Sequence, residues 1–116
     1  MIFQYNLKVY LAPGATDLRK SIDGLSILVE QQLELNPFTG CLFGFCNRKK
    51  TTIKLLYWDH NGFCLWMKRL EAQRFAWPDR NVSSIAISQR ELSWLLDGLP
   101  LEQKRAHREL HFSSVS

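Results

Sequence analysis

A tight turn between two apolar segments most constrains how this 116-residue chain can fold. Asn61-Gly62 stands between "TIKLLYWD" and "GFCLWMKRL", and both segments have the length and the aromatic or β-branched content of strands. Asn-Gly is the strongest short signal for a hairpin, because a type I′ turn requires positive φ at both central residues. With Asn61-Gly62 as the two-residue turn, Trp58 faces Leu65. The sequence therefore predicts an antiparallel hairpin over residues 53–70.

Alternation along the hairpin assigns its side chains to two faces. The first face is predicted to pack on a helix as core, through Leu56, Trp58, Phe63, Leu65 and Met67. The second face is more polar and places Tyr57 and Trp66 as neighbours beside Lys68. Paired rings flanked by cations can stack nucleic-acid bases, at about 1–3 kcal/mol per base. The alternative is that a second helix covers this face and both rings are structural, since aromatic cross-strand pairs commonly stabilise sheets.

Two helices and further strands complete the predicted fold. Apolar residues at helical spacing predict the main helix over residues 17–35, with Thr16 or Asp17 as its cap. Ser88 and Glu91 have the spacing of a capping box, which predicts a second, short helix near the C-terminus. The segments "NLKVYLAPG", "GCLFGFCN" and "SSIAIS" read as strands.

Strands joined by short turns favour antiparallel pairing. We therefore expect a single α+β domain over residues 1–100, with a curved antiparallel sheet of about four to six strands and the main helix packed on one face. Residues 101–116 are expected to form a basic tail that could extend as a frayed helix.

The positive charge of the chain is concentrated in its middle. The formal net charge is +4, and residues 40–80 hold eight Lys or Arg against three Asp or Glu, whereas the flanking segments are nearly neutral. A localised basic patch is typical of proteins that bind nucleic acid, although a solvated surface has the same composition. The candidate nucleic-acid-binding residues are cations that would contact phosphates and two rings that would stack or pack: Arg48, Lys49, Lys50, Lys54, Lys68, Arg69 and Arg74, with Tyr57 and Trp66.

Catalysis and metal binding find little support in the sequence. Asp17, Asp59 and Glu71 are an imaginable acidic set for metal-assisted phosphoryl transfer, but nothing in their spacing brings them together. His107 and His111 would share one face of a helical tail, yet no cysteine or carboxylate completes a metal site. We expect no catalytic residue, no metal and no cofactor.

The sequence also bears on the compartment. No apolar run approaches the roughly 18 residues of a membrane span, and the first residues lack the basic start and apolar core of a secretion signal. Cys41, Cys46 and Cys64 are an odd number without CxxC spacing. We therefore expect a cytoplasmic protein with reduced cysteines and no membrane partner.

Three blocks of the chain resemble a known family. "APGATDLRKSIDGL", "NPFTGCLFGFCNRKK" and "KLLYWDHNGFCLWMKRLEAQRFAWP" are similar, in this order, to the TnpB-type accessory proteins of the bacterial insertion-sequence family sixty-six. They are unrelated to the RNA-guided nuclease that shares the TnpB name. The family's Asp-Met-Arg block falls on residues 17–19 with Leu18 for Met, its Asn-Arg turn on Asn47-Arg48, and its Arg-Phe-x-Trp-Pro block on residues 74–78. Gln73 stands where the family often has glycine.

The resemblance implies an accessory protein of transposition, encoded beside a separate, larger transposase that carries the catalytic acidic triad. The first functional hypothesis is a non-catalytic factor that binds DNA, such as the element ends, through the central basic patch. The second is a protein-interaction module that docks on the transposase or self-associates as a homodimer, because exposed aromatics and a free sheet edge also suit protein partners.

Overall fold

Five strands and two helices make up the part of the chain that the computed structural model describes, residues 7–101. The strands form one sheet in the order β4-β3-β2-β1-β5. The predicted α+β class is confirmed. The elements in chain order are β1 Val9–Leu11, α1 Ile22–Gln31, β2 Leu42–Cys46, β3 Thr52–Asp59, β4 Gly62–Arg69, β5 Ile85–Ile87 and α2 Gln89–Leu96.

The sheet is mixed, which differs from the expected antiparallel sheet in one pairing. β2 with β3, β3 with β4 and β1 with β5 are antiparallel, as expected. β1 and β2 run parallel, with Val9 beside Leu42. The reason lies in the connection, because a crossover that contains a helix returns the chain to the end of the sheet where the previous strand began.

The β3–β4 hairpin is present, but its predicted register was wrong by two residues. Trp58 pairs with Phe63, and Asp59 pairs with Gly62. The turn is therefore His60-Asn61, with His60 in the left-handed region at φ 58°. A shift of two residues leaves every side chain on its predicted face.

The main helix is shorter than predicted at both ends. The helix begins after Ser21 and not at Asp17, because the Asp17 carboxylate binds Arg19 instead of capping a helix. Ser21 itself makes no side-chain capping bond. At its other end, the chain leaves helical geometry before Glu34, whose φ is 58°. The capping box of α2 is confirmed, with the Ser88 side chain accepting from the Glu91 N–H.

Each face of the sheet supports one helix and one apolar cluster. On the first face, Leu25 and Val29 of α1 pack with Phe43, Phe45 and Leu56. On the second face, α2 packs through Leu92 and Leu95 on a cluster that includes residues of β1, β2, β3 and β5. The prediction that the main helix packs on the first face of the hairpin is confirmed.

Of the five residues predicted as core on the first face, only Leu56 is buried; Phe63 and Leu65 are half-buried against the cluster that α1 covers, and the other two lie outside that cluster. Met67 is 58% exposed, because it lies on the edge strand β4 outside the apolar cluster that α1 covers. Trp58 is only half-buried, at the hairpin tip. Trp66, on the second face, is also half-buried.

Some sequence expectations concern residues that the structure does not describe. Of the predicted tail, only Leu101 belongs to the described part, and His107 and His111 lie outside it. Between residues 7 and 101, neither helix has the length and apolar character needed to cross a bilayer.

Candidate nucleic-acid interface

The turn between β2 and β3 displays three cations on a rigid frame. The Asn47 side chain closes this turn, since its Oδ1 accepts from the N–H groups of Thr51 and Thr52 at 2.9 and 3.1 Å. Lys50 takes a positive φ of 62°. Arg48, Lys49 and Lys50 are all exposed. Asn47 thus fixes the backbone while the three cations extend into solvent.

A loop from another part of the chain lies beside this turn. The Thr16 N–H donates to the Cys46 carbonyl at 2.8 Å. Residues 15–19 and 47–49 line one open depression. Two blocks of the family resemblance, residues 17–19 and Asn47-Arg48, are therefore neighbours in space.

Arg19 is a cation of this loop that the sequence did not single out as a site residue. Its Nε and Nη2 donate to the Asp17 carboxylate at 3.0 and 2.8 Å, and its side chain is 91% exposed. The hydrogen bonds from Arg19 hold the pKa of Asp17 well below its usual range. Asp17 therefore stays ionised and offsets part of the charge of Arg19. The sequence feature that could have identified Arg19 as a site residue is the Asp-x-Arg block at residues 17–19.

The segment that follows β4 brings two more cations to the same end of the sheet. The Leu70 N–H donates to the Thr51 carbonyl at 2.8 Å, and the Phe75 N–H donates to the Lys50 carbonyl at 2.7 Å. Arg69 and Arg74 are exposed, and Arg69 pairs with Glu71 at 3.1 Å. We call this part of the molecule the basic end; its exposed cations are Arg19, Lys20, Arg48, Lys49, Lys50, Arg69 and Arg74.

The two strand lysines of the predicted site bind the protein's own backbone. Lys54 Nζ donates to the Leu18 carbonyl at 2.6 Å, which ties the loop of Arg19 to β3. Lys68 Nζ donates to the Leu96 carbonyl at 2.8 Å on the other face of the sheet. The last carbonyls of a helix lack intrahelical partners, so Lys68 satisfies one of them and complements the negative end of the helix dipole. Both lysines thus have a structural role.

The two rings of the predicted site lie on the face of the sheet that supports α2. Tyr57 and Trp66 are half-buried against the cluster that α2 covers. Tyr57 pairs with Cys64, and burial together with a hydrogen bond from the phenol to that sulfur raises the pKa of the phenol. Because α2 lies on this face, the arrangement favours the alternative in which both rings are structural.

The three carboxylates considered for catalysis are not brought together. Asp59 pairs with Gly62 at the hairpin tip, whereas Glu71 and Asp17 each bind an arginine at the basic end. Within residues 7–101, no three His, Cys, Asp or Glu side chains are grouped so that they could hold a metal ion. All three cysteines are free thiols.

The Arg-Phe-x-Trp block supports the core next to the basic end. Phe75 and Trp77 are buried, and Trp77 Nε1 donates to the Ala12 carbonyl at 2.9 Å. Gly44 leaves the space for this packing, since a Cβ there would meet Leu11 Cδ2 at 2.8 Å and the Trp77 ring at 3.2 Å. This block holds the interior together, whereas the turn and the loop beside it provide the exposed cations.

Comparison with known proteins places the chain in a family. It matches the family described as "IS66 Orf2 like protein" over residues 7–106. Uncharacterized protein y4hO of Sinorhizobium fredii (strain NBRC 101917 / NGR234) is 42% identical over 94 residues, covering 81% of this chain and 82% of that protein. Uncharacterized protein y4jC of the same strain is 31% identical over 93 residues, or 80% of each. No solved structure is significantly similar. The chain therefore belongs to the IS66 Orf2-like family, whose members are accessory proteins of insertion-sequence transposition.

Proposed function

We propose that this accessory protein binds DNA through its basic end and catalyses no reaction itself. The proposal rests on one observation: exposed cations from three segments meet at one end of the sheet. The segments are the loop at residues 15–20, the turn at residues 47–51 and the segment at residues 69–74. These segments are far apart in sequence, so the fold itself concentrates their positive charge.

The geometry favours contact with phosphates over reading of bases. Long cationic side chains on a turn that is closed by Asn47 can follow a phosphate backbone, and such contacts set position without selecting sequence. The rings that could have stacked bases are half-buried on the face of the sheet that supports α2. We therefore expect affinity that depends strongly on salt, with similar affinity for element ends and for unrelated duplexes.

Within transposition, DNA binding of this kind would hold element DNA near the larger transposase. The transposase would then supply the chemistry, and this protein would supply charge that offsets the repulsion between DNA segments brought together. Element-end DNA and the transposase are the partners that we propose.

A charge-matched pair of variants tests the proposal. Arg48→Gln/Lys49→Gln removes two cations from the basic end, and Lys8→Gln/Arg90→Gln removes two exposed cations outside it. Fluorescence anisotropy with a labelled duplex, measured between about 50 and 200 mM salt, gives affinity and its salt slope. We expect the first variant to lose about tenfold in affinity and to have a slope reduced by about two contacts, whereas the second stays near wild type.

Two results would contradict the proposal. One is the absence of any DNA affinity at the lowest salt concentration. The other is an equal loss in both variants, which would mean that overall charge, and not the basic end, governs the interaction.

A second candidate function is docking on the transposase, and the opposite end of the hairpin favours it. Phe38, Trp58 and Phe63 form a cluster in which the three ring centroids lie 5.0–5.2 Å apart, and Phe38 is 54% exposed. Exposed aromatic clusters are typical of protein interfaces. A pull-down of the transposase that fails with Phe38→Ala but succeeds with Arg48→Gln/Lys49→Gln would support this candidate.

A further inference from the structure

The edge strand β4 differs from ordinary protected sheet edges. Among the described residues it has a neighbour on one side only, and it pairs with β3 in an unbroken register of eight residues. The other edge, β5, has three residues. Proteins usually protect their edges by short length, proline, bulges or charges. β4 has none of these before Lys68, so about six residues of open edge remain.

The outward-facing backbone groups of β4 follow from one hydrogen bond. The Leu70 N–H donates to the Thr51 carbonyl, so this pair is of the hydrogen-bonded type. Such pairs alternate with non-bonded ones along an antiparallel ladder. The even-numbered residues of β4 therefore bond to β3, and the odd-numbered residues from Phe63 to Arg69 direct their N–H and C=O groups toward the open edge.

The side chains along this edge are apolar on both faces. On the face of α1, Met67 is 58% exposed and its neighbours Phe63 and Leu65 are half-buried. On the face of α2, Cys64 and Trp66 are half-buried. A strand added at this edge would thus cover apolar surface above and below the sheet as well as satisfying the backbone.

We propose that the partner at this edge is a second copy of the chain, whose β4 pairs antiparallel with the first to form a continuous ten-stranded sheet. Antiparallel pairing centred near Leu65 and Trp66 places the apolar part of each strand against that of the other. It also separates the cations at the end of β4, Lys68 and Arg69, from those of the other copy. At about 3.3 Å per residue along the strand, this separation is roughly 20 Å, whereas parallel pairing would put like charges side by side. Charge therefore selects the antiparallel orientation, in which the apolar part of β4 is complementary to the same part of a second copy.

The dimer changes how the basic ends are presented. The two-fold axis places one basic end at each end of the joined edge strands, so a dimer would hold two DNA segments or two stretches of one duplex. The pairing itself uses only residues of β4 and does not depend on whether DNA binds.

Proline and threonine at one position separate backbone pairing from side-chain effects. Met67→Pro removes an outward N–H without removing a bond to β3, and proline is tolerated at such edge positions. Met67→Thr is the matched control, since it also loses the apolar side chain but keeps the N–H. By sedimentation velocity on the full chain without DNA, we expect wild type to dimerise in the micromolar range, Met67→Thr to dimerise less tightly, and Met67→Pro to remain monomeric.

Hydrogen exchange of the wild-type protein gives a readout that needs no variant, which matters if Met67→Pro does not fold. We expect the amides of Leu65 and Met67 to become protected as protein concentration rises. A monomer at high micromolar concentration would overturn the proposal, as would a Met67→Pro variant that dimerises like Met67→Thr. Protection of these amides at every concentration in a monomer would overturn it too, because the chain would then be covering its own edge.

Discussion

The two ends of the β3–β4 hairpin are built from opposite kinds of side chain. At the basic end, arginines and lysines extend from a turn that Asn47 holds by hydrogen bonds. At the tip, Phe38, Trp58 and Phe63 pack edge to face. Between them, Ile53, Leu55 and Leu56 of β3 are fully buried. One strand thus joins two exposed surfaces of different chemistry through a common core.

Comparing the cations along this hairpin shows that positive charge alone does not define a binding surface. Lys54 and Lys68 carry the same charge as the cations of the turn, but their ammonium groups bind backbone carbonyls. The arrangement of partners, and not residue type, separates cations available to a phosphate from cations that stabilise the fold.

The largest effect is expected where β3 passes through the core. Leu56 is fully buried under α1, so Leu56→Ala should leave a cavity and lower the free energy of unfolding by about 2–5 kcal/mol. Urea unfolding followed by circular dichroism measures this loss. A loss no greater than that of a tip variant would show that core and tip are not distinct.

Lys68→Glu should destabilise the protein by about 1–3 kcal/mol, since it removes the bond to the Leu96 carbonyl and places a carboxylate at the negative end of α2. Lys49→Glu is the control, and its exposed side chain should change the free energy of unfolding by less than about 0.5 kcal/mol. Equal unfolding curves for the two variants would contradict the structural role of Lys68.

Trp58→Ala should cost about 1–2 kcal/mol, less than the 3–5 kcal/mol typical of a buried tryptophan, because Trp58 is half-buried and contacts mainly Phe38 and Phe63. Thermal and urea unfolding provide the measurement, and DNA affinity should be unchanged. A drop in DNA affinity with this variant would mean that the tip, too, contacts DNA.

Alkaline pH should weaken the core where it meets the basic end. Burial raises the pKa of the Cys46 thiol from 9.0 to about 12. The unfolded thiol therefore ionises first, so this contribution to stability is complete below pH of about 9 and declines as pH rises toward 12. We expect the unfolding free energy of wild type to fall more than that of Cys46→Ala between pH of about 8 and 10. Parallel pH profiles would contradict this.

The smallest effect is expected from the acid within the basic end. Asp17→Asn removes the charge that offsets Arg19, and should raise DNA affinity by about two- to fivefold at low salt. Glu30→Gln makes the same charge change on exposed α1, away from the basic end, and should have little effect. An equal gain from both variants, measured by anisotropy, would indicate a general charge effect.

The sequence predicted the elements of the fold better than their partners. Alternation in β3 and β4 and the Ser88 capping box are local signals, and the structure has both features. The parallel pairing of β1 with β2 depends on where α1 returns the chain, which local patterns do not encode. The hairpin register was missed because His60 adopts the positive φ that the Asn-Gly pair was expected to provide.

The candidate site shows the same limit. Counting charges along the sequence identified the cations of the turn directly, because these residues are consecutive in the chain. It could not tell that Lys54 and Lys68 bind carbonyls from residues 18 and 96, because those contacts span 36 and 28 residues. It also passed over Arg19, which only the folded loop brings beside Arg48.

The pairing of β1 with β5 has a consequence for synthesis on the ribosome. Val9 lies beside Ile87, and the cluster under α2 requires Leu92 and Leu95 as well. A nascent chain that has emerged only as far as the hairpin therefore has apolar residues of β1 and β3 with no cover on one side of the sheet. Completion of the fold must wait until translation has passed residue 95. A message cut or frameshifted before that codon yields a product that lacks part of this apolar cluster, so the complete fold requires almost all of the described segment to be read in frame.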